Sequence, residues 1–129
     1  MSAAANKRIL AVLEDLFFTV KINESAKRVG LPIEFVKSEH DVVARCADPE
    51  APKPMLIIVD LNFGGIDPLK LIGTLKASEA TKSINLIGYL SHLQGELKQA
   101  AQEAGCDMVM ARSAFSQNLP QILRRYAGN

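Results

Sequence analysis

The chain has 129 residues, 48% of them hydrophobic, which suits one packed domain and excludes a disordered polymer. Lysine and arginine number 15 against 14 acids, a formal net charge of +1 that argues against nucleic acid or an anionic membrane as the main partner. Cys46 and Cys106 lie far apart in apolar surroundings with no CxxC pair, so they read as buried thiols of a reducing compartment.

Residues 1–6 are expected to form a flexible leader and residues 7–127 a single domain. The Ala-rich start, Met1 to Lys7, has no apolar core of the kind a signal peptide carries. Met55 to Val59 is the longest apolar run and is far too short for a bilayer. The expectation is a soluble, cytoplasmic protein.

Apolar runs and helical patterns alternate along the chain. Ile9 to Leu13 predicts a first strand. Leu16 to Val29 follows with Phe18, Ile22, Ala26 and Val29 at helical spacing, stopped by Gly30. Ile33 to Val36 is a second strand, and Ser38 is an N-cap for a helix through Val42, Val43 and Cys46. Three prolines between Asp48 and Pro54 mark a loop. Met55 to Val59 then ends in Asp60, an unbroken apolar run of the kind buried on both faces of a parallel sheet.

Asp67 and Pro68 supply an N-cap and a first-turn proline for a third helix through Leu69, Ile72 and Leu75. Ile84 to Leu90 predicts a fourth strand. Leu93, Leu97, Ala101 and Ala104 mark a helix closed by Gly105, and Met108 to Ala111 a fifth strand. Ser116 is expected to cap the last helix, with Leu119, Ile122, Leu123 and Tyr126 on its apolar face and Pro120 in its first turn.

Five strands each followed by a helix imply a parallel sheet with helices on both faces. In such folds the site lies at the carboxyl ends of the strands. That rule selects Glu14 and Asp15, Asp60, Leu90 to His92, and Arg112. Three acids at one rim repel one another unless a cation or an opposite charge sits among them. Their hard oxygens suit Mg²⁺, and Arg112 offers the opposite charge. A carboxylate beside Mg²⁺ can also act as a nucleophile toward phosphorus.

The plainer readings stand beside these. Asp60 can simply end its strand in solvent, Glu14 and Asp15 can serve the dipole of the first helix, and Arg112 can pair structurally with Asp60. His92 and His40 read as solvated, Tyr89 and Phe63 as packing residues. No P-loop, GxGxxG or GxSxG pattern occurs, and no enzyme is expected.

From about Arg8 to Tyr126 the sequence resembles the receiver domains of bacterial two-component response regulators, the CheY-like proteins. LIIVDLNFGGIDPLKLIGTLK is similar to the family's third strand, phosphoacceptor Asp and following helix. AAQEAGCDMVMARSAF is similar to its AxxAGAxxYxxKPF ending. The resemblance implies an α/β, flavodoxin-like, doubly wound five-stranded parallel sheet of order 2-1-3-4-5. It makes Asp60 the phosphoacceptor. Glu14, Asp15, Asp60 and the backbone carbonyl of Asn62 become the Mg²⁺ ligands, and Arg112 and Ser91 stabilise the phosphoryl group.

It further implies a histidine kinase or phosphotransfer protein as donor and a downstream protein as reader, with a homodimer compatible. Partner contact is expected on the face formed by the fourth helix, fifth strand and fifth helix, where Gln94, Lys98, Gln102, Arg124 and Arg125 supply a polar rim. The departures are specific. The acids read Leu13-Glu14-Asp15, so one is lost or the pair is displaced by one residue. The phosphoryl-binding Thr or Ser aligns with Leu90, and a one-residue slip brings Ser91 there. The strand-five aromatic aligns with Val109, the Lys-Pro pair is Arg112-Ser113, and Gly64-Gly65 stands where Pro is usual. The alternative is a pseudo-receiver, a phosphorylation-independent interaction module on the same fold.

Overall fold

The computed structural model describes residues 8–91 and 95–127. The expected leader, and His92, Leu93 and Gln94, lie outside the described residues. Ten elements alternate: β1 (Ile9–Val12), α1 (Leu16–Val29), β2 (Ile33–Val36), α2 (Glu39–Ala47), β3 (Leu56–Asp60), α3 (Pro68–Ala77), β4 (Asn85–Leu90), α4 (Gly95–Ala104), β5 (Met108–Ala111) and α5 (Arg112–Tyr126). The strands form one sheet of order β2-β1-β3-β4-β5 with every pairing parallel, as the sequence predicts.

Both faces of the sheet are covered, so neighbouring residues of one strand enter different cores. Leu10, Val12, Ile57 and Val59 join one apolar cluster with Val42 of α2 and Leu71 and Leu75 of α3. Ile9, Ala11, Leu56 and Ile58 join the other with Phe18 and Ile22 of α1 and Phe115, Leu119 and Leu123 of α5. This two-sided burial is why β1 and β3 carry unbroken apolar runs rather than an alternating pattern.

The local signals hold at most helix ends. Ser38 Oγ accepts from Asp41 N at 3.0 Å and Asp67 Oδ1 from Lys70 N at 3.2 Å. Gly30 closes α1 at φ 73, a left-handed conformation that glycine adopts without a Cβ penalty.

The last helix is a correction. It begins at Arg112, directly after β5, so Ser116 lies inside it and Pro120 falls in its interior rather than its first turn. The cause is packing. Phe115, Leu119 and Leu123 are all fully buried and four residues apart, and only a helix that starts before Ser116 carries Phe115 into the core. An interior proline costs about 3 kcal/mol. Burying Phe115 is worth a similar amount, since removing such a ring costs about 3–5 kcal/mol.

Candidate functional site

The carboxyl ends of β1 and β3 are adjacent, with Val12 in register with Val59, so the residues that follow these strands share one rim. Asp60 is the last residue of the central strand and half-buried there. Its Oδ1 accepts the Asn62 N–H at 2.9 Å, and its carbonyl accepts the Phe63 N–H at 3.1 Å, a tight turn that fixes the carboxylate. The Asn62 side-chain oxygen accepts the Ser91 N–H at 2.6 Å and ties this turn to the end of β4.

A cleft of about 440 Å³ opens over this turn, lined by Glu14, Asp15, Asp60, Asn62, Phe63, Gly64 and Gly65. Gly65 follows from the packing of Phe63. A Cβ at Gly65 would lie 2.7 Å from that ring, so the glycine at this position lets the loop close over the aromatic. Burial pushes the Asp60 carboxyl above its ordinary pKa. The Asn62 N–H and Arg112 oppose this, and Asp15 adds to it.

Asp15 does two jobs. Its Oδ1 accepts from Phe17 N at 2.8 Å and Phe18 N at 3.5 Å, so it is the N-cap of α1. Its Oδ2 receives Arg112 Nη2 at 2.6 Å. The Arg112 guanidinium also lies over the Phe18 ring, 4.8 Å from its centroid. The expected Arg112–Asp60 pair is therefore corrected to Arg112–Asp15. The physical reason is position: as first residue of α5, Arg112 reaches toward the start of α1, the helix beside it on the same face of the sheet.

Arg112 and Ser91 line a neighbouring cavity of about 600 Å³ with Phe17, Phe18, Ala111, Ser113 and Ser116, not the acid cleft itself. Leu90, at the position of the family's hydroxyl residue, turns into the core and is 2% exposed. Phe17 and Phe18 were legible only as helix residues. Their part beside Arg112 had no local signal, because Arg112 is brought over Phe18 from the far end of the chain.

The fit of a divalent cation can be tested on the donors present. Both oxygens of Asp15 are committed, one to the helix cap and one to Arg112. Glu14 is exposed at the edge. Among the described residues no group of three or more His, Cys, Asp or Glu side chains is disposed to hold a metal ion. The expected ligand set of Glu14, Asp15, Asp60 and Asn62 is lined up along one cleft, but with Asp15 held by Arg112 and the helix cap it is not arranged around a common point for a cation.

No family model matches the chain, and no curated protein matches it. Solved structures do. The phosphorylated cyanobacterial phytochrome response regulator RcpA superposes with a TM-score of 0.78 at 20% identity, over 94% of this chain and 91% of that one. CheY4, a chemotaxis response regulator of Vibrio cholerae, gives 0.76 at 15%, over 93% and 98%. The receiver domain of the sensor histidine kinase PA1611 of Pseudomonas aeruginosa, solved with magnesium coordinated in its active site cleft, gives 0.76 at 20%, over 97% and 100%. The chain has the CheY-like receiver fold. Among the described residues no helix is long and apolar enough to cross a membrane.

Proposed function

We propose that this chain is a receiver module of two-component signalling, in which Asp60 accepts a phosphoryl group from a histidine kinase or phosphotransfer protein and a downstream protein partner reads the result. It is a cytoplasmic signalling protein rather than an enzyme with a substrate of its own. The observation that carries the reading is the Asp60 carboxylate itself. It is half-buried and backbone-anchored at the carboxyl end of the central strand, open to a cleft on a receiver fold.

The step is a substitution at phosphorus. An Asp60 oxygen forms the new P–O bond, the P–N bond of a phosphohistidine breaks, and the released imidazole nitrogen takes a proton from solvent. The Asn62 N–H, already on Asp60 Oδ1, orients the nucleophile. Arg112 stands at the cleft's edge as the nearby positive charge.

The test is incubation with a small phosphodonor, with and without Mg²⁺, followed by intact mass measurement. A slow gain of about 80 Da, absent in Asp60→Asn, is expected. No gain from either the donor or a phosphorylated histidine phosphotransfer protein would overturn the reading in favour of a phosphorylation-independent interaction module.

A further inference from the structure

A cleft that gathers Glu14, Asp15 and Asp60 needs positive charge, and the geometry locates it on the chain itself. We infer that Arg112 is the cleft's built-in counter-ion: its guanidinium holds Asp15 in place of a divalent cation, so metal and the Arg112–Asp15 pair exclude each other. The inference rests on the receiver reading only for its interest in metal. Its physical content is a competition for one carboxylate.

Three constraints hold Arg112 in place. Its backbone is the first residue of α5, with no loop between that helix and β5 to let it swing. Its charged head lies over the Phe18 ring. Its Nη2 lies 2.6 Å from Asp15 Oδ2, a short charge-assisted contact. Asp15 is equally restrained, because its other oxygen caps α1 at Phe17 N. Withdrawing Asp15 toward a metal would break the ion pair and disturb the cap together. Phe18 is 2% exposed and stacked on Tyr89 at 4.9 Å, so the platform beneath the guanidinium belongs to the core and does not move aside cheaply.

A cation bound to Asp15 and Asp60 would sit beside this guanidinium. A unit charge about 6 Å from a divalent ion weakens its binding roughly tenfold even at the dielectric of bulk water, and more in a partly buried cleft. Removing the Arg112 charge should therefore uncover a metal site that the native chain keeps closed.

The probe is Mn²⁺, titrated into wild type, Arg112→Met, Arg112→Gln, Arg112→Lys and the double variant Asp15→Asn/Arg112→Met. Free ion is read from its aqueous electron paramagnetic resonance signal, and folding is checked by circular dichroism. Arg112 is partly exposed, and either neutral variant suffices if the other fails to fold. Affinity at least about tenfold tighter in a neutral variant is expected. Arg112→Lys should stay near wild type, and the double variant should lose the gain. Neutral variants that bind within twofold of wild type would overturn the inference, as would a double variant that stays tight. No phosphodonor is present, so these outcomes are independent of whether Asp60 accepts a phosphoryl group.

Discussion

Replacing Asp15 separates two contributions that the structure joins in one side chain. Asp15→Asn keeps a side-chain oxygen for the Phe17 and Phe18 N–H groups but removes the charge that faces Arg112. Asp15→Ala removes both. The ion pair is partly solvated, with side-chain exposures of 40% for Arg112 and 27% for Asp15, so screening holds it to about 0.5–1 kcal/mol despite its short contact. The cap adds about 1 kcal/mol. Asp15→Asn should then cost about 0.7 kcal/mol and Asp15→Ala about 2 kcal/mol. For a chain of 129 residues the unfolding entropy is about 0.27 kcal/mol/K, so the thermal midpoint should fall by about 3 °C and about 7 °C respectively. Urea and thermal unfolding both measure this. Equal losses in the two variants would show that the cap contributes nothing, and losses below about 0.3 kcal/mol in both would refute the dual role.

Tyr89 is 1% exposed and its hydroxyl has no hydrogen-bond partner among the described residues, so Tyr89→Phe should leave stability unchanged or raise it by about 1 kcal/mol, and a clear loss would reveal a hidden partner. Gly30→Ala forces a Cβ into a left-handed residue and should lower the midpoint by an amount equivalent to about 1 kcal/mol, read by thermal unfolding. Asp60 has a pKa raised above its ordinary 3.8 by burial, so the folded chain holds that proton more tightly than the unfolded chain. Stability from this group therefore declines as pH rises from 3.8 through the raised folded-state value, and the cost is complete above that value. Asp60→Asn should accordingly unfold at higher temperature than wild type at pH 7, with the gain shrinking as pH falls toward 4; a gain that grows on acidification would contradict this.

What was legible in the sequence was whatever a short window can encode. The apolar run before Asp60, the caps Ser38 and Asp67 and the stop at Gly30 each rest on residues within four positions of one another, and each stands in the structure. The parallel pairing follows from alternating strands and helices, whereas the order of the strands came only with the family resemblance, since the same alternation is compatible with other doubly wound orders. The start of α5 misled because Ser116 and Pro120 carry the local chemistry of a helix beginning, while the burial of Phe115 decides where the helix begins.

Asp15 shows the same division. Its role as an acid at the head of α1 was among the readings its position allows, and the structure realises it as the N-cap. Its pairing with Arg112 was not legible, since Asp15 and Asp60 are both acids at one rim and only the placement of α5 against α1 selects between them. The surroundings of Ser91 were likewise outside what a short window encodes. Its N–H is bound to Asn62 Oδ1, and the residue lines the cavity with Arg112, the other residue expected to stabilise a phosphoryl group.

Under the proposed function Asp60, and no other acid of the cleft, receives the phosphoryl group. Borohydride reduction of the phosphodonor-treated protein converts an acyl phosphate to the corresponding alcohol, about 14 Da lighter than the parent carboxylic acid. Peptide mapping then locates the altered residue. The change is expected on Asp60 and should vanish in Asp60→Asn. Reduction at Glu14 or Asp15, or a fully loaded protein with Asp60 intact, would contradict it.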